Sequence, residues 1–409
     1  MQSNSYLLPF LRTILLITLL FGCVSKQAIS SSESINCSEA KNKWDLWRMK
    51  TCLRGANIWQ KMIDPNVDGN GLGTDPVGPP YLQSDFLALA ALGANYVNIS
   101  HPGIYSEDAP YNLDVHALEN LDNLLSKIEK ANMYAVISFR TGPGRNEHTF
   151  SGVNPKANNN VWKDSEAQKA WALMWKFAAN RYKTNPIVVG YDLMVEPNSN
   201  AVLLGEGDST EFYTKYKNTS YDFAPLAKAC TQAIREFDNE TPILLGVMDW
   251  SSVYWLEETP LSEDSKTVYA VHNYAPYEYT HQTQPYRISY PGYLKGGERL
   301  DAKWLENVLH PIAEFKQRNN VPVAINEFAV IRWQKGATKY LDDHLSIMEN
   351  LGVNYSYWLW ESSWKGITYD HFDYKKGTKA SNHKNHINND LLDTLKKYWI
   401  KNQVRPKKP

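Results

Sequence analysis

The sequence predicts an α/β chain folded as a (β/α)8 barrel of the TIM type, and three observations carry that prediction. Eight apolar β-type runs alternate with helix-period segments along the chain, the element count of such a barrel. The runs are continuous rather than alternating, as strands covered on both faces are. No glycine-rich phosphate loop follows the first run, which sets aside a doubly wound open sheet.

The elements follow in order. The chain has 409 residues, 43% hydrophobic and 21% charged, enough for one large core. Residues 1–23 stand apart as a signal segment. Arg12 precedes TILLITLLFGC, an apolar run too short to span a bilayer comfortably. Gly22-Cys23 resembles a lipoprotein processing site, with Cys23 as the acylated residue; an ordinary cleaved signal or anchor is the alternative. Either route predicts export to the periplasm or cell surface, and the first adds membrane attachment through the lipid on Cys23. A polar leader is expected over 24–43, the barrel domain over 44–402 and a basic tail over 403–409.

Within the barrel domain the strand candidates are LRGANIW, ANYVNIS, MYAVISF, IVVGYDLMV, ILLGVMD, TVYAVHNY, VPVAINEF and VNYSYWLW. Several are introduced by a proline or glycine break, as in TNPIVVG and NLGVNYS. Amphipathic runs at 115–131, 165–182, 223–237 and 302–318 supply helices between them. Export permits disulfides, and Cys37 with Cys52 could close a short N-terminal loop. Cys230 lies on the apolar face of its helix and reads as a buried free thiol. Net charge is −1, so no nucleic acid or other polyanion is expected as partner, and the lysines near the C-terminus read as a solvated tail. The chain is expected to be a monomer.

In such barrels the reacting groups sit at the C-terminal ends of strands. Those positions hold Trp59, Asn98, His101, Arg140, Glu196, Asp249, Trp250, His272, Tyr274, Glu327, Trp358 and Trp360. Two glutamates stand out. Glu196 is followed by a proline that ends its strand, and Glu327 in AINEF is a carboxylate that an apolar strand has no packing reason to carry. The chain also holds 14 Trp and 25 Tyr, an excess suited to stacking on the apolar faces of sugars. Two carboxylates facing each other in an aromatic cleft suit glycoside hydrolysis, one protonating the leaving oxygen and one ionised. No Cys/His metal spacing and no Ser/His/Asp arrangement competes, so neither a metal nor a cofactor is expected.

On these residues the chain resembles the family 5 glycoside hydrolases (clan A) of the cellulase and β-mannanase type, from LRGANIW to YSYWLWESSW. The resemblance implies a glycosidase catalytic domain that cleaves β-linked glycans or oligosaccharides with retention. It assigns Glu196, in Val195-Glu196-Pro197, as acid/base and Glu327 as nucleophile. It matches His272 and Tyr274 to the family's His-x-Tyr, and Trp360 to the tryptophan under the sugar at the cleavage point. Trp59, Asn98 and Arg140 complete the expected substrate-binding set.

The sequence also departs from the pattern. Asn98 stands where the family has an arginine supporting the nucleophile, Arg140 where it has a histidine, and Val195 where an asparagine bonds the sugar 2-hydroxyl. One reading is a rewired enzyme in which Arg140 supports Glu327 and Asn98 touches sugar. The other is a degenerate barrel that only binds carbohydrate. Survival of both carboxylates and of the His-x-Tyr pair favours the enzyme. Two loops complete the pass. DPNVDGNGLGTD, from Asp64 to Asp75, spaces its acids like a calcium loop but reads as a Gly/Asp-rich turn, and RTGPGRNE reads as a loop that brings backbone close to substrate.

Overall fold

Eight parallel strands close into a barrel: β1 (Arg54–Trp59), β2 (Tyr96–His101), β3 (Tyr134–Phe139), β4 (Val188–Asp192), β5 (Ile243–Gly246), β6 (Thr267–Asn273), β7 (Val323–Phe328) and β8 (Asn354–Tyr357). Each pairs with its sequence neighbour, and β8 closes on β1 through Arg54↔Tyr355 to Ala56↔Tyr357. The computed structural model describes residues 37–68, 71–151, 154–364, 370–379 and 389–407. All of these fall in one unit, Asn36–Pro409. The signal segment and Cys23 lie outside the described residues. Among the described residues no helix is long and apolar enough to cross a membrane.

The strands form where β-branched and aromatic residues run together, and all eight are almost wholly buried. The major outer helices are α1 (Gln83–Ala91), α2 (Val115–Lys130), α3 (Ser165–Tyr182), α4 (Phe223–Arg235), α5 (Ala302–Asn319), α6 (Ala337–Leu351) and α7 (Asp390–Trp399). Asp114, Asp164, Asp222 and Asp301 cap four of them by accepting from first-turn amides. One expected alternation is not met. Between β5 and β6 the chain makes only the short turns Met248–Ser251 and Val253–Trp255. Strands pack closely at Gly55, where an added Cβ would come within 1.9 Å of the Tyr96 carbonyl oxygen.

The N-terminal end of the barrel is plugged. Cys37 and Cys52 form the disulfide that the sequence allowed. The short helix Asp45–Arg48 buries Leu46 and Trp47, and the Trp47 indole donates to the Val189 carbonyl at 2.8 Å. Residues 37–43, expected in a leader, are therefore tied into this plug. At the other terminus Arg405 donates to the carbonyls of Asn132, Ala90 and Gly93, so it packs on the barrel while Lys396, Lys397, Lys401 and Lys407 are exposed. Cys230 is buried and free.

Candidate active site

β6 and β7 each deliver a polar side chain from their last turns into the same cleft. His272 Nδ1 lies 2.9 Å from Glu196 Oε1 and 3.6 Å from Glu327 Oε2, and the Tyr274 hydroxyl donates to Glu327 Oε1 at 2.6 Å. One oxygen of each glutamate and one His272 nitrogen all lie within 4.8 Å of one another. That spacing suits either a shared proton or a small cation. β4 stops at Asp192, and Glu196 follows four residues later in a turn where it takes φ 55°, a left-handed conformation costly for a residue with a Cβ.

The cleft encloses about 820 Å3. Arg140, Glu196, His272, Tyr274 and Glu327 line it, together with Asp249, Trp250 and Trp358 just past the strand ends, Phe150, Tyr254, Tyr277, His281 and Phe372 from the connecting segments, and Trp304 from the first turn of α5. Tyr254 and Tyr277 are exposed, and Tyr277 stacks on His281 at 3.7 Å. Three of the expected substrate-binding residues do not line this cleft. Asn98 is corrected: it is buried in the barrel interior, where it donates to Asn57 Oδ1 and accepts from Ser138 Oγ, both at 2.7 Å. Both ends of its amide are thus committed to neighbouring strands. Trp59 packs its ring on the hydrophobic core. Trp360 is buried, and its indole donates to the Asp85 carbonyl at 3.0 Å. The eighth-strand tryptophan in the cleft is instead Trp358, whose ring centre is 5.7 Å from the Arg140 guanidinium. β8 ends at Tyr357, so the residue at the rim is the next one along.

Arg140 does line the cleft, but its carboxylate partner is not Glu327. Its Nε lies 3.0 Å from both carboxylate oxygens of Glu147, and its guanidinium lies 3.5 Å from the centre of the Phe150 ring. Arg145, which no sequence motif marks, is fully enclosed and donates to the carbonyls of Arg140, Val195 and Glu196. The only sequence signal for this cluster is two arginines, a glutamate and a phenylalanine within eleven residues after β3.

The electrostatics distinguish the two glutamates. Burial opposes ionisation of Glu196, but the His272 hydrogen bond and charge, with Arg140 and Arg145, outweigh it and hold its carboxyl below the ordinary value. Burial pushes Glu327 up to about 7, with repulsion from Glu196 adding to it, against the pull of His272, Tyr274 and Arg140. Burial alone would lower His272, but Glu327 and Glu196 raise it to about 8. The proton order expected from the assigned roles, Glu196 protonated as the acid and Glu327 ionised as the nucleophile, is therefore reversed in the free site. Elsewhere, Asp64 and Asp68 turn onto the amides of Asn66 and Asp64 and onto Lys61.

Comparison with known proteins agrees with the barrel fold. The sequence profile of Cellulase (glycosyl hydrolase family 5) matches residues 62–363. Endoglucanase C of Acetivibrio thermocellus is 23% identical over 307 residues, covering 68% of this chain and 82% of that protein. A crystal structure of a glycoside hydrolase superposes with TM-score 0.65 at 22% identity, over 86% of this chain and 99% of that one. Thermotoga maritima Cel5A in complex with a mannotriose substrate superposes with TM-score 0.61 at 19% identity, over 85% and 98% of the two chains.

Proposed function

This chain belongs to glycosyl hydrolase family 5, the cellulase family, and from that premise we propose that it is a retaining hydrolase of β-linked glucans or mannans in which Glu196 is the acid/base and Glu327 the nucleophile. The observation that carries the reading is the approach of the two carboxylates to within 4.8 Å, with His272 between them. Retaining enzymes hold their carboxyls about 5–5.5 Å apart, whereas inverting ones leave ~6.5–9.5 Å for a water. Glu327 attacks the anomeric carbon while Glu196 protonates the departing oxygen. Water then releases the sugar from Glu327, with Glu196 taking the water's proton.

The reversed proton order is compatible with these roles because the proton has only a short path to travel. Between the His272 and Glu327 values the trio holds one proton, on His272, hydrogen-bonded to Glu196 at 2.9 Å. Moving it onto Glu196 leaves neutral His272, an acid at the leaving oxygen and an ionised Glu327. The names of the relatives point to β-glucan, and the mannotriose complex of the neighbouring structure adds β-mannan to the candidates. Export through residues 1–23, by lipoprotein or ordinary signal processing, would bring the enzyme to such polymers as a monomer.

Val195 supplies the one observation favouring a second reading, a barrel that binds carbohydrate without cleaving it, since valine cannot bond the 2-hydroxyl. Hydrolysis of β-glucans, β-mannans and aryl β-glycosides, with the product anomer followed by NMR, tests both. The β-anomer as first product is the expected result. The α-anomer would overturn retention, and oligosaccharide binding with no product from any of these substrates would overturn the enzyme.

A further inference from the structure

Arg145 is fully enclosed, yet it makes no ion pair among the described residues. A buried guanidinium normally faces a carboxylate, because an unpaired charge out of water is costly. Here the neighbouring carboxylate, Glu147, is taken by Arg140, and the Phe150 ring lies against both cations, 3.5 Å from Arg140 and 4.7 Å from Arg145. Arg145 is left to bond main chain. Nη1 donates to the Arg140 carbonyl at 3.0 Å and the Val195 carbonyl at 2.6 Å, and Nη2 to the Glu196 carbonyl at 2.7 Å. One planar fork thus gathers the end of β3 and both residues of the turn in which Glu196 is held at φ 55°.

We infer that Arg145 is a positioning residue for Glu196: its fork fixes the left-handed turn and so holds the carboxyl against His272, in a chain whose turn carries Val195. This rests on the acid/base reading of Glu196 proposed above. Two physical consequences follow. Without the fork the carboxyl drifts, and displacements of about 1 Å at a reacting group cost on the order of 10²-fold in rate. Glu196 also loses one of two guanidiniums facing it, Arg140 remaining, while His272, Glu327, Tyr274 and His281 are unchanged. Its carboxylate then binds the shared proton more tightly, which moves the basic limb of kcat/KM to higher pH.

The test uses the whole chain and two substrates: cellotetraose or mannotetraose, whichever is cleaved faster, and the matching dinitrophenyl β-glycoside. Dinitrophenolate departs without a proton, so bond cleavage there needs no acid. Arg145→Met is expected to lose about 10²-fold in kcat/KM on the tetrasaccharide and less than about tenfold on the dinitrophenyl glycoside, with the basic limb raised. Arg145→Lys keeps the charge without the planar fork, so it should fall between wild type and Arg145→Met with the limb unmoved. Equal losses on both substrates would overturn the inference, because a fold-supporting role lowers both alike. Should Arg145→Met not fold, the Arg145→Lys ratio of the two substrates decides, and a wild-type ratio overturns the inference. Glu196→Gln is the control. If it shows no bias against the tetrasaccharide, the acid/base reading fails; if it shows the bias and the Arg145 variants do not, only the positioning role fails.

Discussion

Glu196 and Glu327 share a cleft but not a surrounding. Glu196 faces two guanidiniums and the nearer contact of His272, while Glu327 meets the Tyr274 hydroxyl and the like charge of its partner. Each proposed role needs a carboxyl group: one transfers a proton, the other forms a covalent bond, and an amide does neither. Glu196→Gln and Glu327→Gln are therefore each expected to lose at least about 10³-fold in kcat on unactivated glycans with the melting curve unchanged, and a loss below about tenfold in either would remove its assignment. The pH dependence follows from the same surroundings. As pH falls through about 7, Glu327 gains a proton and can no longer attack; as pH rises through about 8, the proton shared by His272 and Glu196 is lost and the leaving oxygen goes unassisted. A profile of kcat/KM should be a narrow bell with its maximum between those values. An acid limb near 4.5, the ordinary glutamate value, would show that Glu327 is not perturbed in the free enzyme.

Where an element ends decides which side chain reaches the cleft. The resemblance assigns the floor of the cleft to Trp360, but the apolar run VNYSYWLW has no internal mark separating strand from loop and so does not tell Trp360 from Trp358. The ladder settles it by ending β8 at Tyr357. Trp360 is instead buried away from the lining, bonded to the Asp85 carbonyl, with the Lys375 ammonium 5.0 Å from its ring centre. Asn98 was misread for a related reason: period-2 alternation shows that a strand residue faces inward, but not whether inward at that level means cleft or barrel interior. That the two glutamates and the His-x-Tyr pair meet in one cleft was legible, because charged or polar groups closing apolar strands have few packing explanations. The Arg145 cluster was not, since its partners are backbone carbonyls that no motif spells. Trp358→Ala and Trp360→Ala separate the two tryptophans. Trp360→Ala should cost ~3–5 kcal/mol of stability as a core truncation while keeping kcat/KM below its melting temperature. Trp358→Ala should lose kcat/KM on oligosaccharides even well below its own melting temperature. The opposite pattern, activity lost only with Trp360, would return the floor of the cleft to that residue.

At the scale of the molecule the barrel has two unlike ends. The C-terminal rim carries the left-handed turns at Glu196 and at Asp249, Trp250 and Ser251, conformations that disfavour folding and persist where surrounding structure enforces them. The N-terminal end is closed by apolar packing: Cys37, Leu46, Trp47, Cys52 and Leu53 sit against Tyr96, Val136, Val189 and Leu244 from the strand interiors. Asn354 adds hydrogen bonds from its side chain to the amides of Cys52 and Leu53 and to the Leu46 carbonyl. Stability and chemistry are thus carried at opposite ends, as the barrel architecture allows. The Cys37–Cys52 bridge tests that separation because its sequence separation is 15 and it lies within the plug. Closing a loop of that length restricts the unfolded chain by about 3 kcal/mol. Replacing both cysteines with serine should therefore lower Tm, while kcat/KM and the position of its pH maximum stay at wild-type values at temperatures where the variant is folded. A shift in the pH maximum would mean that the plug sets the geometry of the Glu196–His272–Glu327 trio across the length of the barrel, and the two ends would then have to be treated as one cooperative site.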